Sequence, residues 1–185
     1  MALTLSNMLP IGTVAPDFSL PDTVSGANIS LNEISSDKAT VVMFLCNHCP
    51  YVIHVNPELV KLANEYIAKG VAFVAISSND AVNYPQDGPE KMSIHAKENG
   101  YTFPYLYDES QDVAKAYDAA CTPDFYVFDG SKRLVYRGQM DGSRPNSGIP
   151  VTGEDLRKAL DNVLEGKDQE EIQRPSAGCN IKWKK

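Results

Sequence analysis

The chain has 185 residues, the length of one domain with room for a sizeable hydrophobic core. Its net charge of -7 argues against a surface that attracts phosphate backbones, so we expect no nucleic-acid partner. The longest apolar run, residues 41–46, is too short to cross a bilayer, so we expect no membrane partner either.

The N-terminus and the cysteines together suggest a compartment. The sequence begins without the basic region and the long apolar segment of a secretory signal peptide. Four cysteines in a chain without an export signal favour reduced thiols, used for chemistry or metal binding, over a disulfide framework. We therefore expect a cytoplasmic protein.

The first half of the chain predicts a hairpin, a buried strand and a helix. Two short strand-like segments, 17–20 and 27–31, flank a polar turn and are typical of a hairpin. Residues 40–45 form a continuous run rich in apolar and β-branched side chains, which indicates a central strand buried on both faces. Apolar residues then recur every three or four positions, which predicts a helix that ends at residue 69 and is kinked at Pro57.

The second half alternates strands and helices before a closing hairpin and a final helix. The predicted elements are strand 71–76, helix 90–99, strand 105–107, helix 111–119, strands 125–128 and 133–136, and a last helix from Thr152 to Glu165. Asp155 stands three residues after Thr152, which is the spacing of a capping box. Residues 167–185 are polar and predict an extended tail. This order of elements predicts a mixed α/β sheet covered on both faces.

The cysteines fall where such a sheet places its functional site. In open sheets of this kind, ligands bind at the carboxyl ends of the parallel strands. Cys46 and Cys49 directly follow the strand predicted at 40–45, and the polar loop 77–80 follows the next strand. We therefore expect the chemistry of this protein at that edge.

Several sequence features resemble a known family. The opening APDFSLPD (15–22), the strand-cysteine-helix unit and Thr122-Pro123 before a strand are similar to the thioredoxin fold. More narrowly, they resemble the peroxiredoxin-like branch of the alkyl hydroperoxide reductase / thiol-specific antioxidant (AhpC/TSA) superfamily, as does the ending SAGCNIKWK. The resemblance implies a thioredoxin-like domain over residues 8–165, with a central mixed sheet flanked by helices and an N-terminal hairpin. It also implies an extended C-terminal tail, 166–185, packed on that domain.

The cysteine region departs from both templates that this resemblance offers. When Pro57 is matched to the helix-kinking proline of thioredoxins, Cys49 takes the place of their first, nucleophilic cysteine and Val52 that of the second. The peroxiredoxin pattern T-x-x-C-P fits at Cys49 and Pro50, but Cys46 replaces its threonine. The usual proline seven residues earlier and the arginine on the late strand are also absent. We therefore predict weak peroxidase activity at most.

Cys49 and Cys46 form a C-x-x-C pair that we assign to catalysis. Pro50 suits the first helical position, which makes Cys49 the N-cap, with its sulfur facing free backbone N–H groups. These conditions lower a thiol pKa, so we predict that Cys49 is the nucleophile; an inert buried cysteine is the alternative. Cys46 is the predicted resolving thiol, with a packed strand-end cysteine as the alternative. His48, between them, either biases the thiolate or is an ordinary loop histidine.

The resemblance adds candidate residues from the second half of the chain. It implies that Thr122 and Pro123 form a cis-proline dipeptide that presents its backbone to an extended substrate. An ordinary trans proline at the start of a strand is the alternative. We place His48 in the same substrate groove. Cys121 could be a third redox thiol, but we favour a buried bystander.

Three further residues are auxiliary candidates. Cys179 could resolve Cys49 if the tail folds over the site, but we favour a tethered or exposed thiol. Arg137 and Arg144 border the expected site, where an arginine could steady a thiolate. Solvated surface charge pairing with Asp141 is the alternative for these arginines.

Together these features predict a thiol-disulfide oxidoreductase in cell redox homeostasis. Cys49 would attack a disulfide-bearing protein or a small thiol or peroxide substrate. Cys46 would then release the product, and an unidentified thiol reductant would restore the pair. The alternative within the same class is a peroxiredoxin-like antioxidant peroxidase, in which Cys49 is oxidised to sulfenic acid.

A copper- or zinc-binding chaperone with the thioredoxin fold is the alternative from a different class. Cys46, His48 and Cys49 supply ligands that suit these metals. Such chaperones also need a distant histidine, and only His95, in a predicted helix, is available, so we assign no metal ligands. No organic cofactor is implied, because no glycine-rich phosphate loop follows a strand.

Overall fold

Ten strands and five helices make up residues 3–185, the part of the chain that this computed structural model describes. The strands are β1 (Leu3–Leu5), β2 (Ser19–Pro21), β3 (Asn28–Ser30), β4 (Ala39–Phe44), β5 (Ala72–Ser77), β6 (Tyr105–Tyr107), β7 (Cys121–Thr122), β8 (Asp124–Asp129), β9 (Leu134–Gly138) and β10 (Ala177–Asn180). The helices are α1 (Leu31–Ile34), α2 (Pro50–Ala68), α3 (Pro89–Glu98), α4 (Asp112–Ala116) and α5 (Glu154–Leu164), with a 3₁₀ turn at Pro85–Asp87. None of these helices combines the length and the apolar character that a membrane crossing requires.

Five strands form the central sheet, in the order β6-β5-β4-β8-β9. β4 pairs parallel with β5, with Thr40 opposite Ala72, and antiparallel with β8, with Phe44 opposite Asp124. All six residues of β4 are buried, as its continuous apolar run predicts, because a central strand covered on both faces has no solvent side. The predicted mixed α/β sheet is confirmed.

The side chains of β4 divide the core into two layers. Successive residues of a strand point to opposite faces of the sheet. Met43 lies in one hydrophobic cluster with Leu59 of α2 and Leu160 of α5. Val42 lies in the other cluster, with Tyr117. Packing on both faces therefore fixes the strand that leads into the cysteines.

The predicted N-terminal hairpin is confirmed as a separate two-stranded sheet. β2 pairs antiparallel with β3, with Leu20 opposite Ile29. Ser30 then caps α1: its hydroxyl accepts the N–H of Glu33 at 3.3 Å, and the Glu33 carboxylate accepts the N–H of Ser30 at 2.8 Å. α1 was not predicted, although its S-x-x-E start is visible in the sequence.

The start of α5 shows that the capping box predicted at Thr152 is wrong. The helix begins at Glu154, and its N-cap is Gly153, which has a left-handed φ of 68°. The Asp141 carboxylate accepts the N–H of Thr152 at 2.8 Å and that of Gly153 at 2.7 Å. An acid from a distant loop thus organises this helix start, which local spacing cannot reveal.

The two ends of the chain meet in a third small sheet, of order β1-β10-β7. β10 lies in the middle and is antiparallel to both neighbours, with Cys179 opposite Leu3 on one side and Thr122 on the other. The segment predicted as an extended tail therefore supplies a central strand of this sheet, and β1 was not predicted at all. Strands of three or four residues are too short to show a periodic pattern.

Candidate active site

β4 and α2 place Cys49 at a helix N-terminus beside the sheet edge. The chain leaves β4 at Phe44, and α2 begins with Pro50, which makes Cys49 the N-cap as predicted. Pro57 lies inside the helix, which continues without a break to Ala68. Because it is the N-cap, Cys49 lies at the positive end of the helix dipole. Its side chain is also fully buried, away from bulk water.

Two further thiols and one threonine surround the Cys49 sulfur. The Cys179 sulfur lies 2.7 Å from it. In its thiol form, Cys49 donates to the main-chain carbonyl of Thr122 over 3.3 Å. The Cys46 sulfur lies 3.3 Å from the Thr122 hydroxyl oxygen. All four residues are buried and the cysteines are free thiols, so the C-x-x-C pair belongs to a cluster of three thiols.

The cluster lowers the pKa of Cys49. A hydrogen bond from the Cys46 thiol is the largest cause, and the pKa of Cys49 falls to about 5 although burial opposes the shift. A hydrogen bond from Cys179 and the backbone N–H of Val52 act in the same direction. The Val52 N–H stabilises the thiolate although the Cys49 side chain makes no regular N-cap hydrogen bond.

The same contacts raise the pKa of the two neighbouring thiols. The hydrogen bond to Cys49, followed by burial, raises the pKa of Cys46 well above its usual range. Burial, followed by its hydrogen bond to Cys49, raises the pKa of Cys179 to about 12. Near neutral pH, Cys49 is therefore the thiolate, and Cys46 and Cys179 are protonated donors to it.

His48 lies against Asp87, a buried acid that was not among the predicted site residues. Its Nδ1 is 2.6 Å from Oδ2 of Asp87, an ion-pair distance without hydrogen-bond geometry, and its ring stacks on Tyr84 at 6.0 Å between centroids. Asp87 is fully buried and accepts the N–H of Asn47 at 2.9 Å and the side-chain amide of Asn79 at 2.8 Å. The only signal for Asp87 in the sequence is its place in the polar stretch 77–89 that follows the second parallel strand.

Three donor atoms of different kinds come together at this point. One ligand atom each from Cys46, His48 and Asp87 lies within 4.8 Å of the other two. His95, the distant histidine considered from the sequence, instead lies in α3, with its Nε2 3.2 Å from the Asn56 side chain and 3.3 Å from the Tyr101 hydroxyl. The third donor beside Cys46 and His48 is thus a carboxylate.

The Thr122-Pro123 peptide bond is cis, as the resemblance implied. Thr122 contacts Cys46 through its hydroxyl and Cys49 through its carbonyl, so this dipeptide directly borders the thiol cluster. Cys121, the preceding residue, is fully buried, and burial raises its pKa. Its sulfur lies 3.9 Å from the carbonyl oxygen of Pro123, so Cys121 is buried as predicted, and its role as a bystander stays a prediction.

The interpretation of Cys179 as a tethered or exposed thiol is wrong. Its side chain is 2% exposed, and its sulfur contacts that of Cys49. The reason is the pairing of β10 with β7, which carries the C-terminal segment across the site. A strand that forms only by pairing with a segment more than fifty residues away cannot be predicted from a local sequence pattern.

The two arginine candidates are engaged elsewhere. Nη1 of Arg137 donates to the Gln173 side chain at 2.8 Å. Arg144 donates to the main-chain carbonyl of Asp141 and to the Gln139 side chain, at 2.8 and 2.7 Å, so the alternative of an ion pair with the Asp141 carboxylate is wrong. That carboxylate is occupied by the N–H groups at the start of α5. Within residues 3–185, neither guanidinium hydrogen-bonds to a cysteine sulfur.

Two solved structures are similar to this chain over nearly its whole length. An uncharacterized conserved protein from Geobacillus kaustophilus is 61% identical, with a TM-score of 0.98, and the match covers 100% of this chain and 97% of that one. A hypothetical protein from Sinorhizobium meliloti 1021 is 50% identical, with a TM-score of 0.95 and 98% of each chain covered. The chain has no match among the curated proteins.

More distant structures and a family model place the chain in a wider group. Peroxidoxin BcpB from Mycobacterium tuberculosis is 20% identical, with a TM-score of 0.63 over 84% of this chain and 96% of that one, a likeness that shows the thioredoxin fold alone. The model of the AhpC/TSA family matches residues 11–137, more than half of the sequence. The chain therefore has the thioredoxin fold and belongs to the AhpC/TSA family.

Proposed function

We propose that this protein is a thiol-disulfide oxidoreductase with Cys49 as its nucleophile. One observation carries the proposal: the buried Cys49 sulfur lies 2.7 Å from the Cys179 sulfur, and its two neighbouring thiols, Cys46 first, lower its pKa to about 5. Membership of the AhpC/TSA family supports a thiol-based redox role. Disulfide exchange needs an attacking thiolate and a second thiol within reach, and this cluster supplies both.

The cycle begins when the Cys49 thiolate attacks one sulfur of a disulfide substrate. The S–S bond of the substrate breaks, Cys49 forms a mixed disulfide with one half, and the other half leaves as a thiolate. A second thiol of the protein then attacks the Cys49 sulfur, passes its proton to the leaving thiolate and releases the second half. The substrate is reduced by two electrons, and the protein keeps an internal disulfide. The C-x-x-C spacing makes Cys46 the first candidate for this second thiol.

The proposed substrates are disulfide-bearing proteins or small disulfides, and an external thiol reductant regenerates the protein. Thr122, Pro123 and His48 are the proposed border of the substrate groove. Support for this border comes from the contacts of Thr122 with both Cys46 and Cys49. We propose that the cycle serves redox homeostasis in the cytoplasm.

Reduction of insulin in the presence of dithiothreitol tests the proposal. The protein should accelerate the reaction, and Cys49→Ser should abolish the acceleration. Cys121→Ser is the matched control, because it replaces another buried cysteine of the same edge, and it should retain the activity. Equal rates with the wild-type protein and Cys49→Ser would refute the assignment of the nucleophile.

The peroxidase alternative is separated by the rate at which hydrogen peroxide consumes the Cys49 thiolate. We expect the rate of an ordinary low-pKa thiol, because Cys46 stands where the peroxiredoxin pattern has threonine. A second-order rate constant orders of magnitude above that of a free thiol would mean that the protein is a peroxidase and not an oxidoreductase.

Metal binding is the second candidate function, favoured by the donor atoms of Cys46, His48 and Asp87. One sulfur, one nitrogen and one oxygen ligand suit Zn²⁺. Titration of reduced protein with Zn²⁺ under anaerobic conditions tests this candidate. Equimolar binding that is lost in Asp87→Asn supports it, and absence of retained zinc in the wild-type protein removes it.

A further inference from the structure

The C-terminal strand β10 lies directly over the nucleophile. Its pairing with β7 sets Cys179 opposite Thr122, the residue whose carbonyl oxygen contacts the Cys49 sulfur. The register of this short sheet thus brings together two thiols that are 130 positions apart in sequence, with 2.7 Å between their sulfur atoms.

Gly178 permits this close approach. A Cβ atom at this position would lie 1.9 Å from the Thr122 carbonyl oxygen and 3.3 Å from Cδ of Pro123. Its backbone is not in the left-handed region, so glycine is required here by space and not by conformation. The residue next to Cys179 therefore sets how near β10 can come to β7.

Hydrogen bonds on both sides of β10 hold Cys179 in place. Before the strand, the N–H of Ser176 donates to the Ser6 hydroxyl at 2.7 Å. After it, the N–H of Lys182 donates to the Asn79 side chain at 2.8 Å. The entropy of ordering this segment is lost when the protein folds. The Cys179 thiol therefore has a high effective concentration at the Cys49 sulfur.

Cys49 is fully buried, so a disulfide substrate reaches it only when a covering element moves. β10 has only four residues, and its Cys179 touches the sulfur that must be reached. The opening of an element that covers an active site is a local event that does not require global unfolding. When β10 opens, Cys49 is exposed, and when it closes again, a thiol returns to the Cys49 sulfur.

We infer that Cys179 is the resolving thiol of this protein and that β10 is the gate over Cys49. The inference rests on the proposed disulfide exchange. After Cys49 has formed a mixed disulfide, Cys179 attacks the Cys49 sulfur, the bond to the substrate sulfur breaks, and the Cys179 proton passes to the departing thiolate. The Cys49–Cys179 disulfide remains, and the external thiol reductant reduces it. Cys46 is then a positioning residue, whose thiol donates to the Cys49 sulfur and lowers its pKa.

Disulfide mapping by mass spectrometry tests the identity of the resolving thiol. Fully reduced protein is treated with one equivalent of diamide or of glutathione disulfide, and the remaining thiols are alkylated. Wild-type protein and Cys46→Ser should both give the Cys49–Cys179 disulfide. With glutathione disulfide, Cys179→Ser should accumulate a Cys49–glutathione adduct that persists about tenfold longer or more than in the wild-type protein.

The outcomes separate the inference from the proposed function. A Cys46–Cys49 disulfide in the wild-type protein, with no accumulation of the adduct in Cys179→Ser, would overturn the inference. If diamide gives Cys49–Cys179 but glutathione disulfide and insulin are not reduced, the pairing stands and the proposed oxidoreductase fails.

Alkylation of Cys49 by iodoacetamide tests the gate. In Gly178→Ala the added Cβ forces β10 away from β7, and Cys49 should react about tenfold faster or more than in the wild-type protein. Gly142→Ala is the matched control, because its Cβ meets nothing within 4 Å and its backbone is not left-handed. Equal rates in all three proteins, with the Gly178→Ala protein folded by circular dichroism, would refute the gate.

Discussion

Removing the sulfur donor at Cys46 should raise the pKa of Cys49. The Cys46 hydrogen bond is the largest cause of the lowered pKa, so Cys46→Ala removes the main stabilisation of the thiolate. A hydrogen bond to a charged group contributes about 1.5–3 kcal/mol, and 1.36 kcal/mol corresponds to one pKa unit. Because a thiol is a weak donor, the lower end applies, and we expect a rise of about 1–1.5 units.

Cys46→Ser is the matched control for this prediction. Its hydroxyl keeps a donor at the same position, so the pKa of Cys49 should stay within about half a unit of the wild-type value. For a rise to about 6.5, the thiolate fraction at pH 6 should fall from about nine-tenths to about a quarter in Cys46→Ala.

The pH dependence of iodoacetamide alkylation at Cys49 measures both values. The assay is performed with Cys121→Ser as the common background, and the alkylated peptide is quantified. An inflection in Cys46→Ala that coincides with that of the wild-type protein would show that Cys46 does not stabilise the thiolate. The low pKa would then have to come from the helix terminus and from Cys179.

Two predictions concern stability, both read from urea unfolding. Gly130→Ala should lower the free energy of unfolding by roughly 1–3 kcal/mol, because its Cβ would lie 2.0 Å from the Asp37 carbonyl oxygen, whereas Gly142→Ala should change it by less than about 0.5 kcal/mol. Equal midpoints for the two variants would contradict the packing argument. Asp124 should make stability fall as pH rises from about 4 to about 7, because burial raises its pKa to about 7 in the folded protein, so the unfolded chain loses this proton first. Asp124→Asn should flatten that part of the pH profile, and an unchanged slope would count against the assignment.

Local patterns in the sequence were sufficient for the central strand and for the position of Cys49, the proposed nucleophile. Residues 40–45 form an uninterrupted run, and burial on both faces demands such a run. Pro50 marks the first turn of a helix, which makes Cys49 the N-cap without reference to any distant residue. These features depend on neighbours along the chain, so the order of residues determines them.

Only the tertiary structure decided which groups surround that nucleophile. Cys179 reaches Cys49 through strand pairing, Asp87 reaches His48 across a loop, and Asp141 caps a helix from outside it. β10 is four residues long, and a strand of that length carries no periodic signal of its own. Its hydrogen bonds are made to β1, near the N-terminus, and to β7, more than fifty residues before it, and these segments meet only when the chain has folded.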